Sequence, residues 1–377
     1  MKLAVTLLVV CVAALLSLGM VMLYSAKMLA TDGARMLMMQ SIWFGLGLVA
    51  CIVMASLDYS LLKKMTWPLM AVSLVLLVLV FVPHIGKSVN GAHRWIAFGS
   101  FRMQPSELGK FALMVAIAWY CERYQRQMHG WKRGIFIPSL IIAPVLGLIF
   151  IEPDRGATML LCAVLSVMLL FAGIRWYCFV VPAILGIVGL TISFIHDPMR
   201  SARIYSWMNL EETKGAVGHQ AYQASLAFGS GGWSGLGLGN GRQKMGFIPE
   251  HHTDFIFSII GEELGIIATL LVVVAFIIIV ISGVFISMRA RDTFGTLLGC
   301  GITFLIGLQA AINIGVVTGT LPNKGMPLPF ISYGGSNLMM LLGCVGVLIS
   351  IARHARERVE RPDAFLAPDN PFSPRTA

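Results

Sequence analysis

Asp254 is an acidic residue that could take part in chemistry in this 377-residue sequence. It lies in the polar segment 249–257, just before an apolar stretch long enough to form a helix. A carboxylate in that position can accept a proton as a general base. Asp254, or Thr253 before it, can also cap the helix by accepting a hydrogen bond from a free backbone N–H group. The residues leave both roles open.

Glu107 and Lys110 form a second candidate group, at the start of another apolar stretch. Pro105 suits the first position of a helix, and a spacing of three residues places the two charges on one helical face. Charged side chains near the hydrocarbon normally pair or line an aqueous cavity, which indicates a functional site. The alternative is a salt bridge that only anchors the helix end and contributes little.

Three loops carry the other candidate groups. The turn 151–156 contains Asp154, which is predicted to cap the next helix. The glycine-rich segment 229–241 matches neither GxGxxG nor a P-loop, which argues against a nucleotide site. Its N–H groups could form an anion-binding nest, and an ordinary loop is an equal alternative. Three prolines within eight residues predict a structured or re-entrant loop at 319–336.

The elements that must position these residues are membrane-spanning helices. Hydrophobic residues make up 57% of the chain and charged residues 12%, too few to cover a water-soluble surface. A span needs about 20 apolar residues. We therefore predict an all-α polytopic membrane protein with ten transmembrane helices and a large extracytoplasmic loop between helices 7 and 8. The predicted spans are 3–25, 37–56, 66–83, 106–121, 135–151, 157–173, 177–195, 254–287, 294–318 and 334–352.

The first span is predicted to be a retained helix rather than a cleaved signal, because it is too long for a secretory core. All seven cysteines fall within predicted spans or at their inner ends, without a CxxC pair. This distribution indicates neither a disulfide framework nor a thiolate metal site. No cofactor is evident from the sequence, and a divalent cation stays an open alternative.

Basic residues predict the orientation of the chain. An even number of spans puts both termini on one side, together with Lys2, Lys63 and the arginines after residue 352. The positive-inside rule makes this side cytoplasmic. A membrane domain 1–353 is then followed by a disordered cytoplasmic tail 354–377, and the loop 196–253 lies outside.

The predicted outer side also carries many cations, which favours an anionic ligand there. The alternative is ordinary surface charge on the long loop, which the positive-inside rule barely constrains. The cations considered as binding groups for this anionic ligand are Arg94, Arg155, Arg203, Arg242 and Lys324.

Several of these segments together resemble one family. They are 94–96, 104–107 with Lys110, 153–156, 229–241, 249–257 through 262–265, and 321–325 through 332–336. In this order they resemble the SEDS family (shape, elongation, division and sporulation), the family of RodA, FtsW and SpoVE, and the match covers nearly all of the chain up to about residue 352. The Lys324 context is closer to the FtsW branch, while Asn337 departs from the usual pattern of that branch.

The resemblance implies a peptidoglycan glycosyltransferase that polymerises lipid II at the outer face of the bacterial cytoplasmic membrane, for septal division. It implies Asp254 as the catalytic base and Glu107 and Lys110 as cavity residues, with Ser332 and Ser336 among the substrate-binding candidates. The implied partners are lipid II, a class B penicillin-binding transpeptidase, other divisome membrane proteins and membrane lipid, and no nucleic acid. A lipid II flippase and a non-catalytic division scaffold stay open as alternatives.

Overall fold

The computed structural model describes residues 1–27, 33–83, 85–89, 92–98, 101–180, 184, 186, 188–189, 191, 198–245 and 253–360. Thirteen α-helices and three short strands are named below within these residues. The helices are α1 Lys2–Lys27, α2 Gly33–Ser56, α3 Leu61–Lys64, α4 Thr66–Leu79, α5 Pro105–Arg123, α6 Ile137–Ile151, α7 Arg155–Phe171, α8 Pro198–Met208, α9 Leu210–Thr213, α10 His219–Gly231, α11 Ile256–Met288, α12 Thr293–Val317 and α13 Gly335–Glu360. The strands are β1 Gly86–Val89, β2 Ala92–Phe98 and β3 Phe101–Met103.

The helices confirm a polytopic helical membrane protein. Six segments of the described chain are long and apolar enough to cross a membrane, and they include α1, α2, α11 and α12. The apolar helices α4 and α7 are shorter. Nine of the ten predicted spans coincide with a helix, whereas the span 177–195 lies mostly outside the described residues. The count of ten spans is therefore not confirmed.

Helix α5 forms the centre of the bundle. It packs against α4, α6, α7, α12 and α13, and its residues from Phe111 to Ala118 are all buried. A helix that is apolar on all sides belongs inside a protein rather than against lipid. Because α5 also carries charged residues in its first and last turns, its central position brings Glu107 and Lys110 into the interior.

A three-stranded antiparallel sheet precedes α5, and the sequence analysis did not predict it. Strand β2 pairs with both β1 and β3, with Ile96 opposite Met103. The strands are only three to seven residues long, so they contain too few alternations to reveal a period of two. The sheet is what brings Arg94 to the turn between α6 and α7.

The segment described from residue 198 to 245 is largely helical, although it was predicted as a loop. Trp207 of α8 donates its indole N–H to the carbonyl of Gly319 at 2.8 Å. On α10, Gln220 accepts a hydrogen bond from the amide of Asn323 at 3.2 Å. Helices α8 and α10 therefore pack on the segment 319–334, which we call the proline loop.

Helix α13 continues to Glu360, past the predicted domain boundary at residue 353. Residues beyond 360 lie outside the described part of the chain, so the disordered tail stays a prediction. Gly295 and Gly299 of α12 form a GxxxG pair that serves internal packing. An added Cβ on Gly299 would lie 2.4 Å from the hydroxyl of Ser287, which shows how closely α12 approaches α11.

The charged groups separate to the two ends of the bundle. Lys63 bridges Asp292 at 2.6 Å and Glu122 at 2.8 Å, and Asp292 caps α12. Asn313, near the other end of α12, contacts the Asp254 segment. Asp292 and Asn313 lie about 30 Å apart along α12, since each residue adds about 1.5 Å. Which end faces the cytoplasm stays a prediction.

Candidate functional site

Asp254 lies in the turn that precedes α11, and its side chain is half-buried. The N-cap of α11 is Phe255, which makes no side-chain cap hydrogen bond. Thr253 and Asp254 precede this N-cap residue, and their capping role stays a prediction.

Two buried side chains hold this turn. Ser332 of the proline loop donates its hydroxyl to the carbonyl of Thr253. Asn313 of α12 donates from its amide to the carbonyl of Asp254 at 2.8 Å. The backbone at Asp254 is thereby fixed from the loop and from a neighbouring helix.

Gly325 forms one wall beside the Asp254 carboxylate. A Cβ added to Gly325 would lie only 2.5 Å from Oδ2 of Asp254. Real Cβ atoms do not approach an oxygen so closely, so a side chain at position 325 would displace the Asp254 carboxylate from its present position. The proline loop and the Asp254 turn therefore meet at van der Waals distance.

Lys324, the residue before Gly325, places a cation in the same region. Its ammonium donates to the carbonyl of Arg155 at 3.3 Å and contacts the sulfur of Met159 at 3.0 Å. Burial lowers the pKa of the Lys324 ammonium, while the charge of Asp154 acts in the opposite direction. Within the described chain no carboxylate lies within ion-pair distance of this ammonium, so it retains capacity for an anionic ligand.

Asp154 connects Lys324 to the sheet. Its Oδ1 accepts from the N–H of Ala157 at 3.0 Å and caps α7, as predicted. Its Oδ2 accepts from the amide of Gln104 at 3.2 Å and lies 4.0 Å from Arg94. Arg94 also donates to the carbonyl of Glu152 at 3.1 Å, so it is anchored on this turn with its charge close to Asp154.

Glu152 is fully buried within the same turn. Neither of its carboxylate oxygens has a hydrogen-bond partner among the described residues. Burial, with a contribution from Asp154, raises the pKa of Glu152 to about 8, against the opposing charge of Arg94. A buried carboxyl in such surroundings holds its proton at neutral pH.

Glu107 and Lys110 form the predicted salt bridge, with Nζ 2.9 Å from Oε2 and both side chains at least 90% buried. They lie one and two turns into α5 from Gln104, whose backbone N–H donates to Ser336 at 3.2 Å. The pair thus lies inside the bundle rather than at an exposed helix end. This burial argues against an exposed anchor at the helix end, and the substrate-binding role of the pair stays a prediction.

The glycine-rich loop does form an anion nest, but the anions belong to the protein. The N–H groups of Gly239 and Arg242 donate to Glu263 and Glu262, at 3.1 and 2.8 Å. Lys244 forms a fully buried ion pair with Glu263 at 2.7 Å. Ser25 of α1 donates to the same carboxylate at 2.6 Å. The loop is therefore fastened to α11 and α1.

The glycine-rich loop also supplies hydrogen bonds at the point where α11 is interrupted. Gly265 has φ of 79° inside the helix, a conformation that favours glycine. The carbonyls of Glu262 and Glu263 accept from Leu236 and Gly237, at 3.0 and 2.9 Å. Across the break, the N–H of Ile266 donates to Gly232 at 3.0 Å. These bonds satisfy backbone groups that a broken helix would otherwise leave unpaired near lipid.

Eight of the ten predicted site residues fall into three groups. Asp254, Lys324 and Ser332 lie around the turn, while Arg94 of β2, Arg155 at the start of α7 and Ser336 at the start of α13 lie in neighbouring elements. Glu107 and Lys110 form a buried pair below. Arg203 is exposed on α8 and forms no hydrogen bond or ion pair through its side chain with a described residue. Arg242 lines a cavity of about 540 Å³ whose lining does not include Asp254.

The sequence analysis missed Asn313 and the buried pairing of Lys244 with Glu263. Polar residues inside an apolar span are a functional signal, and Asn313 with Gln309 in α12 gave that signal. Lys244 gave none, because its partners Glu263 and Ser25 are distant in sequence. Among the described residues no three His, Cys, Asp or Glu side chains come together to hold a metal ion.

The sequence and the architecture are similar to those of known proteins. The family model for FtsW, RodA and SpoVE, described as "Cell cycle protein", matches residues 5–357. A protein of Trichlorobacter lovleyi named "Probable peptidoglycan glycosyltransferase FtsW" is 41% identical over 347 residues, which cover 90% of this chain and 91% of that protein. Stage V sporulation protein E of Bacillus subtilis is 36% identical over 356 residues, covering 93% of this chain and 97% of its own length.

Two solved structures share the fold. One is a chain from a solved structure of a peptidoglycan synthase complex that coordinates polymerization and crosslinking. It superimposes with a TM-score of 0.79 at 27% identity, and the match covers 92% of this chain and 97% of that chain. The rod shape determining protein RodA of Thermus thermophilus superimposes with a TM-score of 0.69 at 28% identity, covering 92% and 96%. Because the family model spans nearly the whole sequence and relatives align along it, the chain belongs to the FtsW, RodA and SpoVE family of cell cycle proteins.

Proposed function

We propose that this membrane protein is a peptidoglycan glycosyltransferase of the FtsW type, which polymerises lipid II into glycan strands. One observation carries the proposal: the Asp254 carboxylate is held against Gly325, next to the cation Lys324. A glycosyl transfer from a diphosphate-linked donor needs a base for the acceptor hydroxyl and a cation for the departing pyrophosphate. The relatives named peptidoglycan glycosyltransferases support the same reaction.

In the proposed reaction the acceptor hydroxyl oxygen attacks the anomeric carbon of the donor sugar. Asp254 removes the hydroxyl proton, while the bond between the anomeric carbon and the diphosphate oxygen breaks. The diphosphate leaves with the bonding electron pair. Lys324 stabilises the negative charge that develops on it, since charge-assisted hydrogen bonds to phosphate are strong. Arg94, which is anchored on the turn between α6 and α7, and Arg155, at the start of α7, are proposed to orient the substrate.

A flippase needs polar groups along the membrane interior. In the described spans no charged side chain occupies the middle third of a helix. Charged groups are instead found toward the helix ends, which suits chemistry at one membrane face. This distribution favours the enzyme over a lipid transporter.

Purified protein supplied with fluorescent lipid II tests the proposal. Glycan polymer should form, and Asp254→Asn should prevent it. Transfer of lipid II between leaflets without polymer would support a flippase instead. Intact protein that neither polymerises nor moves lipid II would support a non-catalytic scaffold.

The proposed setting is the bacterial cytoplasmic membrane at the division septum, with the Asp254 end outside. A class B penicillin-binding transpeptidase is the proposed partner, because new strands must be crosslinked as they form. The solved relative from a complex that coordinates polymerization and crosslinking supports this partner. Co-purification from mild detergent tests it, and full activity of a solitary protein would count against an obligate complex.

A further inference from the structure

Asn313 uses both donors of its side-chain amide on two separate segments. It is 1% exposed within α12. Its Nδ2 lies 2.8 Å from the carbonyl oxygen of Asp254 and 2.6 Å from that of Met326. An amide NH₂ group has two N–H donors, so both are engaged. One side chain thus joins the Asp254 turn to the proline loop.

These two segments are the ones that meet at the Asp254 carboxylate. Met326 follows Gly325, where an added Cβ would lie 2.5 Å from Oδ2 of Asp254. A shift of either carbonyl away from Asn313 would therefore change the spacing between the carboxylate and Gly325. The chain from Met326 back to Lys324 would shift as well, together with its ammonium.

A packing role alone does not explain an asparagine here. A polar side chain in an apolar helix is unfavourable unless its hydrogen bonds are satisfied. The Oδ1 of Asn313 is buried and has no partner among the described residues. The position therefore retains an unfavourable orphan acceptor for the sake of its two donors.

We infer that Asn313 is a positioning residue, which holds the Asp254 carboxylate at its working distance from Gly325 and Lys324. The inference rests on the proposed role of Asp254 as the base. Asn313 touches the backbone of Asp254 and not the reacting atoms. Asp254 and Lys324 are both proposed to act on charges that develop in the transition state, so the loss of Asn313 should lower the rate of the chemical step more than the binding of substrate.

Gln309 provides a matched control within the same helix. It lies one turn before Asn313, is also 1% exposed and donates its amide to the carbonyl of Pro327 at 3.0 Å. Its Oε1 is likewise buried without a partner among the described residues. It holds the proline loop but makes no hydrogen bond to the Asp254 turn.

The experiment compares Asn313→Leu with Gln309→Met in purified protein. Initial rates are measured against the concentration of fluorescent lipid II, and thermal unfolding is followed in the same detergent. We expect Asn313→Leu to lower kcat by roughly 10- to 100-fold, since a misplacement of about 1 Å can reduce rate about a hundredfold. KM should stay within about twofold, because uniform substrate binding is unchanged. Gln309→Met should keep kcat within about threefold at a similar loss of thermal stability.

An equal loss of kcat in both variants would overturn the inference, because the loop and not the Asp254 turn would then be what matters. An increase in KM with unchanged kcat would also overturn it. If Asn313→Leu does not fold, Asn313→Ser retains one donor, and full kcat in that variant overturns the inference. Asp254→Asn is measured in parallel: its full activity would refute the proposed base, whereas its inactivity beside an active Asn313→Leu would refute only the positioning role.

Discussion

The carboxylate of Asp254 lies one residue before the N-cap of α11, on a backbone that is held from two sides. Its backbone carbonyl is bound by Asn313, and Phe255 occupies the N-cap. The side chain is half-buried, which keeps it accessible to a substrate hydroxyl. A proton acceptor in this position needs no rearrangement of the helix in order to act.

Asp254→Asn is expected to abolish polymerisation while the protein stays folded. Asparagine has the same shape and retains the backbone carbonyl that Asn313 binds, but it cannot accept the proton. Loss of a general base typically slows a reaction by about a hundred- to ten-thousand-fold. Polymer formation from fluorescent lipid II measures the effect, with Glu107→Gln as a control that should lose less activity. Near-normal polymerisation by Asp254→Asn would refute the base assignment.

Glu152 is expected to make stability depend on pH. Its pKa is about 8 in the folded protein and near 4.3 in an unfolded chain, so the folded state binds this proton more tightly. The stabilisation is complete below the unfolded pKa and is lost as pH rises toward about 8. Glu152→Gln should remove this dependence, so that the variant gains stability relative to the native chain as pH rises from about 5 to about 9. Thermal unfolding in detergent across this range tests it, and parallel curves for both proteins would contradict it.

At the scale of elements, the break in α11 explains why a glycine-rich loop belongs to this fold. The loop supplies hydrogen bonds to both sides of the break at Gly265. Its end at Lys244 is fastened to α11 and α1 through Glu263 and Ser25. The chain continues from Lys244 to Asp254, so the segment that leads to the Asp254 turn starts from a fixed position.

Lys244→Met is expected to destabilise the protein strongly. The ion pair with Glu263 is almost completely buried, with side-chain exposures of 3% and 0%. Removing one partner leaves a buried charge uncompensated, which costs about 3–5 kcal/mol. Thermal or denaturant unfolding in detergent measures the loss.

The matched control is the double variant Lys244→Met with Glu263→Leu. Replacing both members of a buried pair by apolar residues is often neutral, so the double variant should recover most of the stability. Equal destabilisation of the single and double variants would indicate that Glu263 is held mainly by Ser25 and the loop N–H groups rather than by Lys244.

For the whole molecule, the two charged ends of the bundle predict opposite reactivity toward an impermeant reagent. Ser230 lies on α10 near the Asp254 end, and Lys64 lies at the end that contains Lys63 and Asp292. In a background without the seven native cysteines, Ser230→Cys should react from outside intact cells and Lys64→Cys should not. The reverse labelling would place Asp254 in the cytoplasm and exclude polymerisation at the outer membrane face.

The length of the hydrophobic runs and the local spacing of residues were sufficient to predict the helices and several local contacts. Nine predicted spans coincide with helices, because a run of apolar residues must form a helix to satisfy its backbone in lipid. Pro105 begins α5, Asp154 caps α7 and Glu107 pairs with Lys110. Each of these depends on residues within four positions of one another, where helix geometry dictates the contact.

Contacts between distant segments were decided only by the tertiary structure. The sequence placed Asp254 at a helix start but did not reveal that Asn313, 59 positions away, binds its carbonyl. It also presented the glycine-rich segment as a possible nest for a ligand, whereas the nest receives Glu262 and Glu263. Local periodicity reports which face of a helix is apolar. It carries no information on which distant polar group will meet an unpaired carbonyl or carboxylate, because that depends on how the helices pack.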